Sequence, residues 1–142
     1  MPGRRDREES RAKYMLLIYS NPESWEHPMF LRDPDFRALP EEERVELTRQ
    51  AEAMHKEIVE SGEFVGGEAL AAPLISGTVR VRDGALAATD GPFIETKEQL
   101  AGYLVVDCDS PERATEIAAR IPDARFAAVE VRLMMEASGQ DV

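Results

Sequence analysis

The chain has 142 residues and a net charge of −11, with 28 aspartates and glutamates against 17 lysines and arginines, and 43% of its residues are hydrophobic. That is about one domain, long enough to bury a core without disulfides or metals. An acidic surface repels phosphate backbones and argues against nucleic-acid binding, and the longest apolar run, Tyr14 to Tyr19, is far too short for a bilayer.

Met1 to Lys13 is charged and has no apolar segment of the kind a secretory signal needs, so a cytoplasmic location is expected. Arg4, Arg5, Arg7, Arg11 and Lys13 against Asp6, Glu8 and Glu9 give this stretch +2, which leaves −13 on the rest. Cations mixed with anions in this way make a solvated, disordered end over residues 1–12, not a nucleic-acid arm. The domain is expected over residues 13–134, with a second disordered tail at 135–142.

Lys13-Tyr-Met-Leu-Leu-Ile-Tyr19 is apolar at nearly every position, the pattern of a central strand covered on both faces. Asn21 to Leu39, with Pro22, Pro28 and Pro34 and the aromatics Trp25, Phe30 and Phe36, reads as a long loop or short helical excursion whose rings pack back. Pro40 opens a helix in which Glu41, Glu42 and Glu43 complement the positive end of the dipole. Leu47, Ala51, Met54 and Ile58 form its apolar stripe, and Gly62 supplies the stop.

Phe64 to Leu70 reads as a short strand. Thr78-Val-Arg-Val-Arg82 alternates, Asp83-Gly84 signals a two-residue turn, and Ala85 to Thr89 returns as the second arm of a β-hairpin. In the segment that follows, Gly91 and Pro92 make a rigid turn that holds Asp90, and Gly102 to Asp107 is again an unbroken apolar strand. Asp109 and Glu112 mark a helix start, Ala114, Ile117, Ala118 and Ile121 line one face, and Pro122 ends the helix. Phe126 to Leu133 closes the fold as an alternating strand.

Without the hairpin the order is βαββαβ, an α+β ferredoxin-like arrangement with an antiparallel sheet and both helices on one face. Two central strands that are apolar on both sides, in a chain with two clear helices, imply that the other face packs on a second copy. A homodimer is therefore expected.

Lys13-Tyr-Met-Leu-Leu-Ile-Tyr19, Gly67-Glu-Ala-Leu70, Thr78-Val-Arg-Val-Arg82, Asp90-Gly-Pro-Phe93 with Glu95-Thr-Lys-Glu-Gln-Leu100, Gly102-Tyr103 and Ala118-Ala-Arg-Ile-Pro122 resemble the YCII-related, or DGPF-domain, proteins. Several separated motifs occur in order, across residues 13 to 134. The resemblance implies a dimeric α+β barrel of ferredoxin-like subunits. It also implies association with extracytoplasmic-function sigma factors, beside which such proteins are often encoded, and kinship to small-molecule enzymes that include a dehydrochlorinase with a His-Asp pair. The chain departs from that pattern: the histidine is expected near Ala51, whereas His55 lies one turn later.

Asp90 and His55 are the candidate catalytic residues. Asp90 is either a base or ligand anchor, or else a turn residue whose carboxylate bonds backbone N–H groups. His55, at the edge of the buried stripe, has the pKa range for proton transfer, or is a half-covered boundary residue. Arg80 and Arg82 share a strand face on which guanidinium groups can clamp an anion or sit solvated beside carboxylates. Of the two, Arg80 is the candidate ligand contact.

Tyr14, Trp25, Glu68, Phe93 and Lys97 complete the expected ligand-binding set, the aromatics as pocket walls or as core. Glu95, Thr96 and Lys97 make a polar rim or a surface turn. The two histidines, His27 and His55, are too sparse for a metal even with Glu68 or Asp90 added. The lone Cys108, between Asp107 and Asp109, reads as structural. No cofactor is expected, since the chain has no glycine-rich phosphate loop, P-loop or nucleophile elbow.

These residues support a small-molecule-binding homodimer with a lyase, isomerase or hydrolase type of site near Asp90, His55 and Arg80. The alternative is a non-catalytic regulatory or interaction module whose acidic surface meets a basic partner such as a sigma-factor segment.

Overall fold

The structure is a computed structural model that describes residues 11–21, 25, 34–94 and 97–136. The expectations for His27, Phe30, Glu95, Thr96 and both tail ends fall outside these residues.

The main sheet has four antiparallel strands: β1 (Ala12–Ser20), β2 (Phe64–Ala69), β5 (Gln99–Cys108) and β6 (Ala128–Leu133), in the order β2-β5-β1-β6. The two strands that are apolar at nearly every position, β1 and β5, lie in the centre of the sheet. The long helix α2 (Glu41–Glu60) connects β1 to β2, and α3 (Pro111–Ala119) connects β5 to β6. With one-turn helices α1 (Pro34–Arg37) and α4 (Asp123–Phe126) added, this is the ferredoxin-like α+β fold. Phe36 of α1 and Phe126 of α4 pack edge to face with ring centres 5.8 Å apart, which ties the long connection after β1 to the helical layer.

Register assigns the faces. Tyr14 pairs with Val106 and Leu133, Leu16 with Leu104 and Val131, and Ile18 with Val129. These side chains, apart from Leu133, which is 44% exposed at the strand end, join Met54 and Ile58 of α2 and Ala114, Ile117 and Ala118 of α3 in one hydrophobic core. Met15, Leu17, Tyr19 and Tyr103 alternate to the opposite face and stay half exposed outside that core. Among the described residues the helices pack on one face of the sheet, while on the other Val105, the partner of Met15, is nevertheless only 8% exposed.

Two boundaries differ from expectation. The Ser110 hydroxyl, not Asp109, caps α3 by accepting from the Arg113 N–H at 3.1 Å; Pro111 occupies the first turn, where its missing N–H costs nothing. The last strand begins at Ala128 because Asp123 to Phe126 form α4 after the Pro122 break. The remaining strands, β3 (Gly77–Arg82) and β4 (Ala85–Asp90), form a separate two-stranded sheet. Their turn has positive φ at Asp83 (51°) and Gly84 (78°), the type I′ geometry that matches strand twist. Among the described residues no helix is long and apolar enough to cross a membrane.

Candidate functional site

The stripe of α2 that buries Met54 and Ile58 carries Ala51 and His55 to its edge, where the helix leaves the sheet uncovered near β2. Here a cavity of about 350 Å³ opens between α2, the sheet and the turn into α4. Its walls are mostly apolar, from Ile18, Met54, Phe64, Leu104, Ile121 and Pro122; the polar residues that line it are His55, Asp123, and Glu68 and Tyr103, which pair across β2 and β5 with their side chains on the face away from the helices. Ligand sites have this composition: an apolar body with a few aimed polar groups.

His55 is exposed at the rim, and its ring meets Phe64 edge to face with centres 5.0 Å apart, which limits the orientation of the imidazole. Glu68 projects from the edge strand β2 and is exposed. Asp123, only 2% exposed, stands in the first turn of α4, where the positive end of the helix favours a carboxylate. Gly67 shapes the same wall: a Cβ there would stand 2.7 Å from the Tyr103 carbonyl oxygen and 3.2 Å from Leu104 Cδ1, so only glycine lets β2 and β5 approach so closely. A histidine and a carboxylate beside an apolar chamber can bind a small molecule and pass protons to and from it.

Two of the expected site residues, His55 and Glu68, are among those that line this cavity, but register turns the Glu68 side chain to the other face of the sheet. Asp90 and Arg80 are not among its walls; both belong to the separate hairpin sheet, Asp90 as the exposed last residue of β4. The Asp90-Gly91-Pro92-Phe93 turn is fastened through backbone. The Gly91 N–H donates to the Ser76 carbonyl oxygen at 2.7 Å, and the Gly91 carbonyl accepts from Thr78 Oγ1 at 3.0 Å. Gly91 takes φ +93°, and the Arg80 guanidinium lies 4.8 Å from the centre of the Phe93 ring. The turn thus closes the root of the hairpin.

Tyr14 is a core residue on the helical face, and burial first, then Cys108 and Glu112, pushes its phenol pKa up. Trp25 is half-buried. Lys97 lines a wide recess of about 620 Å³ with Tyr19, Glu98, Ala128, Val129 and Glu130. Burial, then Glu130, also raises the pKa of Tyr19. Cys108 is fully buried, its thiol pushed up chiefly by burial, which agrees with a structural role. Among the described residues no group of three or more histidine, cysteine or acidic side chains is arranged to hold a metal ion.

Asp123 is the site residue that sequence reasoning missed. The signal is Pro122 followed by an acid, a helix-start pair that sits just after the end of α3. Also missed was the joint beneath the site. Glu63, 7% exposed, accepts from Arg113 Nε at 2.9 Å and Nη2 at 2.8 Å and from Ser61 Oγ at 2.7 Å. Arg113, then Ser61, holds the Glu63 carboxyl below the usual carboxylate range against the opposing effect of burial.

A relative from Rhizobium meliloti (strain 1021), described as an uncharacterized protein, is 33% identical over 87 residues, which cover 61% of this chain and 70% of that one. The model of the YCII-related domain matches residues 12–138, from the first residue of β1 to beyond the last strand, and the chain belongs to that family.

Proposed function

We propose that the protein is a homodimer that binds a small molecule in the cavity between α2 and the sheet. His55 and Asp123 supply its polar contacts and, if the ligand reacts, its proton-transfer groups. The observation that carries this reading is the cavity itself: about 350 Å³, mostly apolar, lined by His55 of α2 and Asp123 of α4. The reactions that such groups suit need only proton movement, as in a lyase, isomerase or hydrolase. The half-exposed Met15, Leu17, Tyr19 and Tyr103 on the face without helices support pairing sheet to sheet.

The test is a ligand screen by thermal shift with small carboxylic acids, lactones and cyclic ketones, repeated on His55→Ala and on Ala51→Phe, which fills the chamber. A ligand that raises Tm in the parent protein and in neither variant supports the site. Equal stabilisation of Ala51→Phe would move binding elsewhere.

A second reading rests on α2, which carries seven glutamates against three lysines and arginines. An acidic helix face of this kind suits a non-catalytic module that docks a basic protein segment, as association with a sigma factor would require. Capture of such a segment that fails when Glu42, Glu46 and Glu52 are changed to Gln, with the cavity blocked and without effect, would favour it.

A further inference from the structure

We propose that the β3–β4 hairpin is an arm that docks on a second copy of the chain through Val79, Val81, Leu86 and Ala88. The inference rests on the homodimer reading and adds the element that clasps the partner.

Register divides the hairpin into two unlike faces. Val79 pairs with Ala88 and Val81 with Leu86, whereas Thr78 pairs with Thr89, Arg80 with Ala87 and Arg82 with Ala85. One face is aliphatic; the other carries two guanidinium groups. The aliphatic face is bare, with Val79 63%, Val81 67% and Leu86 71% exposed. At its root Leu74 and Ile75 are exposed as well, and a groove of about 420 Å³ walled by Leu70, Ile75, Pro92 and Leu100 prolongs the apolar strip.

An isolated two-stranded hairpin is marginal in water, and a bare valine-rich one invites uncontrolled pairing. This hairpin joins no strand of the main sheet, and the Gly91 bonds to Ser76 and Thr78 hold it at the root. The type I′ turn and the strict alternation nevertheless specify it well. A well-specified element with an uncovered aliphatic face is built to be covered.

Two arguments make the cover a second copy. The first is area: Leu74, Ile75, Val79, Val81 and Leu86 from two chains supply on the order of 800 Å² of apolar surface. Against the roughly 1,200–2,000 Å² that a stable interface buries, the two arms alone supply about half. The second is charge. Two molecules at −11 each repel, so they meet where charge is least. Residues 77–90 carry Arg80, Arg82, Asp83 and Asp90, which balance, while α2 holds the acidic excess. A basic partner would be drawn to α2 instead.

The test combines sedimentation equilibrium with amide hydrogen exchange on the full chain. The wild type should dimerise, and its amides at 78–89 should exchange at least tenfold faster once diluted below the dimer Kd. The triple variant Val79→Ser, Val81→Ser, Leu86→Ser should weaken the dimer at least tenfold with main-sheet protection intact, and Arg82→Gln should change it less than twofold. A triple variant that dimerises like the wild type, or hairpin amides equally slow in the diluted monomer, overturns the arm and leaves the dimer standing. A wild type that is monomeric at every concentration overturns both. If the triple variant loses main-sheet protection, the dilution experiment on the wild type decides alone.

Discussion

Glu63 shows how much one side chain can hold together. It sits where α2 has ended and β2 begins, and the two-pronged bond from Arg113 ties that junction to α3, 50 residues further along the chain. Glu57 on the last turns of α2 widens the joint by accepting from Arg113 at 3.1 Å and Arg120 at 2.6 Å. Removing one partner of a buried pair leaves the other desolvated and unpaired. Glu63→Ala should therefore lower unfolding free energy by about 2–4 kcal/mol in a urea melt, and Glu63→Gln, which keeps the shape, by less. The pH dependence follows in sign. The Glu63 carboxyl lies below its ordinary value near 4.5 when folded, so its contribution is fully present above that value and is lost as pH falls through the folded pKa. Tm measured from pH 6 down to 3 should drop more steeply in the wild type than in Glu63→Gln, and parallel curves would refute the joint. Gly67→Ala forces a methyl group against the Tyr103 carbonyl oxygen and should cost about 1–3 kcal/mol.

At the scale of elements, what was legible followed from strong local periods. The α2 stripe, the two predominantly apolar strands and the Asp83-Gly84 turn each impose one geometry, and each forms where the residues require. The start of α3 was legible only in part, because Asp109 and Ser110 both suit a cap. Pro111 decides between them: its preference for the first helical position puts the cap one residue earlier, at Ser110. Ser110→Ala should accordingly cost about 1 kcal/mol by chemical denaturation, and Asp109→Ala much less. The one-turn helices α1 and α4 are too short to leave a period, so Asp123 could not be placed in the cavity from sequence. Asp90 and Arg80 are absent from the walls of the His55 cavity for another reason. Density of chemical groups along the chain is not proximity, and the hairpin carries both away on a sheet of its own.

Across the whole molecule, charge and apolar surface are segregated. The helical side bears the acid of α2, while β1, β5 and the hairpin, which the proposed dimer would bury, carry little net charge. Like-charged copies are pushed apart at long range and held by apolar contact at short range. Raising ionic strength from about 20 to 200 mM should therefore tighten the dimer, by light scattering across a dilution series. Loosening with salt would mean that ion pairs, not aliphatic faces, make the contact. Native mass spectrometry of freshly purified protein tests the central claim most directly. The account predicts a species at twice the 15.8 kDa chain mass carrying added small-molecule mass, and the same dimer without that mass in Ala51→Phe. A bare monomer from the wild type, or added mass that Ala51→Phe retains in full, would contradict it.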